Sequence, residues 1–200
     1  MQWAKLVSEL IQNHEPQRIL DLKARKWYFS ILAASYWAKV DVLDNIDNAE
    51  YPDYLKEHPN ITYYKWKVED FEFKEKYDFI IAKHIVMYYP KDYILWTLMN
   101  NIYTHLNRNG LCFITYHLPD SYTMINNPDL YQYCLDDFKW LKWKFILKDF
   151  WNYKNPVSWE INQEHHVEYV ILSKQSYLFS LFKDYIRKGK KQFITHTINK

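Results

Sequence analysis

Glycine is almost missing from this chain of 200 residues: only Gly110 and Gly189 occur, so few positions are free to adopt the left-handed conformations that tight loops demand. Cysteine is scarce as well. Cys112 and Cys134, without a CxxC pair or a close Cys/His cluster, cannot build a disulfide framework; no metal site is expected, and Cys112 in its apolar surroundings reads as core. No run of about 18 apolar residues is present, so the sequence offers no transmembrane segment. Met1-Gln-Trp-Ala-Lys5 also lacks the basic stretch followed by an apolar one that marks a secretion signal, and the expected location is the cytoplasm. Nor is there a charge excess: 26 basic against 24 acidic residues leave +2, which gives only weak support to nucleic acid as a partner. Apolar and aromatic side chains are what the chain has in quantity. At 48% hydrophobic and 20% aromatic it can bury a core and is not disordered over most of its length.

The stretch Arg18-Ile-Leu-Asp-Leu-Lys-Ala-Arg-Lys-Trp-Tyr-Phe-Ser30 organises the rest, because it reads as a buried strand running straight into a helix. Before it, Trp3, Leu6, Val7, Leu10 and Ile11 recur at helical spacing over 2–13, and Pro16 ends that helix. A helix over about 28–37 and a strand at Ala38-Lys-Val-Asp-Val-Leu43 complete a βαβ unit. A short helix is expected over 50–57, then a third strand at Ile61-Thr-Tyr-Tyr-Lys-Trp66 and a fourth, central one at Tyr77-Asp-Phe-Ile-Ile-Ala82. Asp92 is placed to cap a long helix through Leu106, Asn107-Arg-Asn-Gly110 to stop it, and Leu111 to Tyr116 to form the fifth strand.

After His117 the alternation breaks. A loop with a short helix near 128–135 leads to two long strand-like runs, Trp140 to Trp151 and His165 to Leu172, which predict an antiparallel hairpin at one edge of the sheet. Its aromatic residues suit sheet packing, a protein partner or a homo-oligomer contact better than a base-stacking platform. His165 and His166 are adjacent on a strand and point to opposite faces, which argues against a shared metal site. The division expected is one α/β domain over 1–173 and a C-terminal helix with a basic tail over 174–200, its default role being to cover the sheet.

These elements, a Rossmann-like doubly wound α/β sheet of seven strands, five parallel followed by an antiparallel pair, resemble class I S-adenosylmethionine-dependent methyltransferases over roughly 17–172. Ile19-Leu-Asp-Leu is similar to that family's first strand with its acidic residue, Val40-Asp-Val-Leu-Asp44 to the second strand with an acidic end, and Val68-Glu-Asp70 to the acidic third motif. Tyr77-Asp-Phe-Ile-Ile followed by Val86-Met-Tyr-Tyr resembles the fourth motif of the small tellurite-resistance type, and Leu106-Asn-Arg-Asn-Gly-Leu-Cys-Phe-Ile the turn before the fifth strand. The resemblance implies S-adenosylmethionine as cofactor if the protein is an active transferase. Asp21 would then lie near the methionine amino group, Asp44 would accept from the ribose hydroxyls, and Asp70 would meet the adenine amine. The alternative reading makes Asp21 and Asp70 caps of turns.

The same resemblance puts glycines where this chain has Lys23, Arg25 and Trp27, large side chains in a loop that should let a ligand approach the backbone. The cofactor site is therefore expected to be lost or rebuilt, as in a pseudoenzyme. Lys23, Arg25 and Lys26 at a helix N-terminus also suit an anion, with a solvated basic loop as the plainer alternative. The catalytic residues are left open. Lys83, His84, Tyr88, Tyr116 and His117 are weak candidates near the ends of the fourth and fifth strands, where ordinary strand-end roles compete.

Overall fold

The computed structural model describes residues 2–24, 28–44, 57–156 and 164–174. Its seven strands are β1 (Arg18–Leu22), β2 (Lys39–Leu43), β3 (Ile61–Tyr64), β4 (Tyr77–Lys83), β5 (Leu106–His117), β6 (Phe145–Pro156) and β7 (Glu164–Lys174). They lie in the order β3-β2-β1-β4-β5-β7-β6. The first five run parallel, and β7 pairs antiparallel with both β5 and β6. The sheet and its edge hairpin are as expected from the sequence, with β4 in the middle.

Among the described residues five α-helices accompany the strands: α1 (Gln2–His14), α2 (Tyr28–Ser35), α3 (Met99–His105), α4 (Tyr122–Ile125) and α5 (Leu135–Lys139). Alternation along the central strands sends their side chains into two apolar layers. Leu20, Leu22, Ile80, Ala82, Ile114 and Tyr116 join the layer under α3. Ile19, Val40, Val42, Phe79, Ile81 and Phe113 pack with Val7 and Ile11 of α1 and with Phe29, Ala33 and Ala34 around α2. No helix among the described residues is long and apolar enough to cross a membrane.

At the amino ends of the strands, carboxylates hold the sheet together. Buried Asp41 accepts from Arg18 Nη2 at 2.9 Å and from the Tyr77 hydroxyl at 2.9 Å, which satisfies a charge that burial would otherwise penalise. Asp78 accepts from the backbone N–H groups of Gln17 and Arg18 and, at 2.7 Å, from the Asn107 amide.

Several local expectations are corrected. Asp92 does not cap the helix before β5: it already has helical dihedrals, the chain enters the helix directly after Pro90, and Tyr93–Leu98 is wound as a π-helix leading into α3. Gly110 does not supply the left-handed turn after α3; Asn109 does, at φ 67°. The glycine is needed for room instead, since a Cβ there would lie 2.8 Å from Leu106 Cγ. The short helix expected near 128–135 begins only at Leu135, and Trp140–Trp143 continues it as a 3-10 turn rather than opening a strand. The expected helix over 50–57, apart from its last residue, and the C-terminal helix and basic tail beyond Lys174 lie outside the described residues, as do Arg25, Lys26 and Trp27.

Candidate functional site: a crevice at the switch point

The strand order reverses between β1 and β4, and the carboxyl ends of the strands around such a point form the crevice where open α/β sheets bind ligands. Lys23 enters it directly after β1. Its backbone is left-handed at φ 60°, and its N–H donates to the Leu43 carbonyl at 2.6 Å, tying the loop to the end of β2. Its ammonium sits 2.9 Å from the centroid of the Tyr88 ring, which comes from the 3-10 turn Val86–Tyr88 after β4. The contact spans the crevice from one wall to the other. What remains is a cavity of about 210 Å3 lined by Lys23, Asp44, Trp66, Glu69, Tyr88 and Tyr89, among others.

The acidic residues divide between different environments. Asp44 follows β2, is buried at the crevice wall, donates its N–H to the Tyr64 carbonyl and accepts the Tyr63 hydroxyl on its own carbonyl at 3.2 Å. Asp21 is buried on the α2 side of the sheet, where the Ser30 hydroxyl donates to it at 2.6 Å. Burial raises its pKa from 3.8 to about 6, with nearby Asp44 adding to the rise and Ser30 and Lys83 opposing it. Asp70 is exposed and borders a separate open depression with Lys65, Trp66 and Lys67. Its neighbour Glu69 faces the crevice instead and accepts the Tyr89 hydroxyl at 2.6 Å. Nothing in the Val68-Glu-Asp spacing distinguishes the two; the 3-10 turn over Val68–Asp70 sets which one turns inward.

The other candidates gather at the ends of β4 and β5, apart from Tyr116. Lys83 closes β4 close enough for its charge to act on Asp21. His84 is left-handed at φ 52°, and its ring stacks on His117 with centroids 4.6 Å apart. Each imidazole is fixed through Nδ1 to a hydroxyl, His84 to Thr115 Oγ1 at 3.1 Å and His117 to Ser121 Oγ at 2.8 Å. Tyr116 lies on the opposite face of β5, stacked on Phe138 and donating its hydroxyl to buried Glu168, so it does not line the crevice. Beyond the pair, His166 is held by Asp120 at 2.7 Å. Among the described residues no group of three or more His, Cys, Asp or Glu side chains is placed to hold a metal ion.

Solved structures of methyltransferases share this architecture. The N-methyltransferase NodS from Bradyrhizobium japonicum WM9 superposes with a TM-score of 0.67 at 13% identity, covering 86% of this chain and 96% of that one. TehB from Haemophilus influenzae gives 0.68 at 15% identity, covering 84% of this chain and 61% of that one. The magnesium protoporphyrin IX methyltransferase ChlM from Synechocystis PCC 6803, solved with bound S-adenosylmethionine, gives 0.63 at 13% identity over 86% and 77% of the two chains. No protein-family model and no curated protein sequence matches the chain. The chain has the class I S-adenosylmethionine-dependent methyltransferase fold.

Proposed function

We propose that this methyltransferase-fold protein has a remodelled S-adenosylmethionine crevice and acts by binding a protein partner or another ligand rather than by transferring methyl groups. The observation that carries the reading is the Lys23–Tyr88 contact across the crevice. It puts a cation in the crevice, at a position where the resemblance expects glycine, and a like charge there disfavours a cationic sulfonium ligand. The remaining 210 Å3 falls below the roughly 300–1,000 Å3 of ordinary small-ligand pockets. Asp21 adds to this, because its carboxyl is committed to Ser30 on the far side of the strand. In this arrangement the residues present do not fit the cofactor. A protein partner has the exposed side chains of β6 to meet, Phe150 among them, on a strand that pairs only with β7 among the described strands.

The second reading is an active methyltransferase on a small molecule or polymer. Asp44 and Glu69 favour it, since both carboxylates face the crevice beside Trp66 and Tyr89, acceptors and aromatic faces suited to a nucleoside once Lys23 swings aside. Isothermal titration with S-adenosylmethionine and S-adenosylhomocysteine separates the two. The expected result is no saturable heat for the natural chain, with weak binding gained in the double variant Lys23→Gly/Tyr88→Ala. Micromolar binding by the natural chain overturns the proposal and leaves the second reading standing.

A further inference from the structure

Just past the end of β3 the chain sets a tryptophan between two lysines. Lys65, Trp66 and Lys67, together with Asp70, line the open depression of about 480 Å3 beside the crevice. Trp66 is anchored there by an aromatic cluster. Its ring meets Phe71 at 77° with centroids 6.4 Å apart, and Phe71 packs in turn against Tyr64 and Phe73. Phe71 and Phe73 are buried, yet Trp66 keeps 48% of its surface exposed. An indole both held in place and uncovered is a platform for a flat partner.

The charges around it are unevenly committed. Glu69 turns to the crevice and holds the Tyr89 hydroxyl, Glu72 pairs with Lys74 at 3.6 Å, and Glu75 faces Arg18 at 3.7 Å. The depression keeps two exposed lysines against one carboxylate, Asp70, which the 3-10 turn brings back beside Lys67 by donating its N–H to the Lys67 carbonyl at 3.1 Å. Lys67 pairs with no carboxylate among the described residues. Cation, ring, cation in succession along the chain is the complement of phosphate, base, phosphate along a nucleic-acid strand.

We infer that this depression binds single-stranded nucleic acid, with a base stacked on Trp66, the phosphates on either side of that base held by Lys65 and Lys67, and the amino group of a cytosine or adenine donating to Asp70. Each of the four lining side chains then meets a group that complements it. A duplex does not fit in the same way, because its bases are stacked on one another and present no face to the indole. The net charge of +2 gives no long-range pull towards nucleic acid, so binding rests on these local contacts. The site goes beyond the reading of the crevice and stands whichever ligand that takes, since Lys65 and Asp70 line the depression and not the crevice.

Fluorescence anisotropy of labelled oligomers with the full chain at low salt tests this, using oligocytidylate as DNA and as RNA, oligothymidylate, a hairpin duplex and an acidic peptide. Oligocytidylate is expected to bind, the tighter of its two sugar forms identifying the kind of strand. Its log K is expected to fall against log salt with a slope of about −1.4, the value for two phosphates on a single strand. Lys65→Gln/Lys67→Gln, at exposed side chains, is expected to bring that slope towards zero. Trp66→Ala is expected to weaken binding by about tenfold, the effect of one stacked base, while Trp140→Ala, at a tryptophan 68% exposed elsewhere on the surface, leaves it unchanged. Asp70→Asn is expected to remove the preference for oligocytidylate over oligothymidylate. Absence of oligocytidylate binding, an unchanged affinity in Trp66→Ala, a salt slope that survives loss of both lysines, or preferential binding of oligothymidylate, the duplex or the peptide overturns the inference.

Discussion

A carboxyl group in the middle of an apolar layer is tolerated only if its charge is offset or surrendered, and Asp21 follows the second course. Burial raises its pKa to about 6, against 3.8 in the open chain, even though the hydrogen bond from Ser30 favours the charged form. The native state thus holds this proton more tightly than the unfolded chain. The contribution to stability is fully present below pH 3.8, declines as pH rises toward 6, and at neutral pH leaves a cost of up to about 3 kcal/mol. Asp21→Asn, which keeps an acceptor for Ser30, is expected to be the more stable protein in urea at pH 7, with the difference shrinking toward zero near pH 3.5. A constant difference across that range would show that the carboxyl keeps an ordinary pKa. That an acidic residue ends the β1 motif is plain in Ile19-Leu-Asp-Leu, but which way it turns depends on Ser30, nine residues on and in another element.

Between elements, the shortage of glycine is met by forcing other residues into left-handed backbone. Glu15, Lys23, Trp37, His84 and Asn109 all have positive φ, the first four at the exit of a helix or strand and Asn109 near the start of β5. Trp37 is the clearest instance. Its N–H donates to Ala34 and that of Ala38 to Ala33, the two bonds of a Schellman cap, with a tryptophan of 85% exposure where glycine is usual. A β-carbon there costs about 1–2 kcal/mol, and a glycine gives back part of the gain through its freer unfolded chain. Trp37→Gly is therefore expected to stabilise the protein by about 0.5–1 kcal/mol, raising the midpoint of urea unfolding. The element boundaries that sequence patterns located well are those ruled by apolar periodicity, such as α1 and β4. One of the misplaced boundaries is instructive: Lys139-Trp-Leu-Lys-Trp-Lys144 alternates like a strand, yet the Asp137 carboxylate accepts the Cys134 N–H at 2.9 Å and starts a helical turn that carries through Trp143. A local cap overrides the alternation. Likewise the Lys23–Tyr88 contact could not be read from the chain, because it exists only once β1 and β4 are neighbours.

For the molecule as a whole, the sheet order sets a gradient of protection. β1 and β4 each pair on both sides and are covered by an apolar layer on both faces, so their amides open only when the layers come apart. β6 pairs on one side only among the described strands, and its bulge and the exposed Lys148 keep its outer edge from offering a flat template to another strand. In hydrogen exchange the amides of Ile19–Leu22 and Phe79–Ala82 are expected to report the full unfolding free energy, while alternate amides of Phe145–Phe150 exchange by local opening and faster. That contrast also probes the proposed partner surface. In the protein alone it should not change with concentration, because an edge so interrupted pairs poorly with a second copy. Protection of β6 that grows with concentration would instead identify that edge as a contact between copies of this chain, and the partner under the proposed function would then be the protein itself.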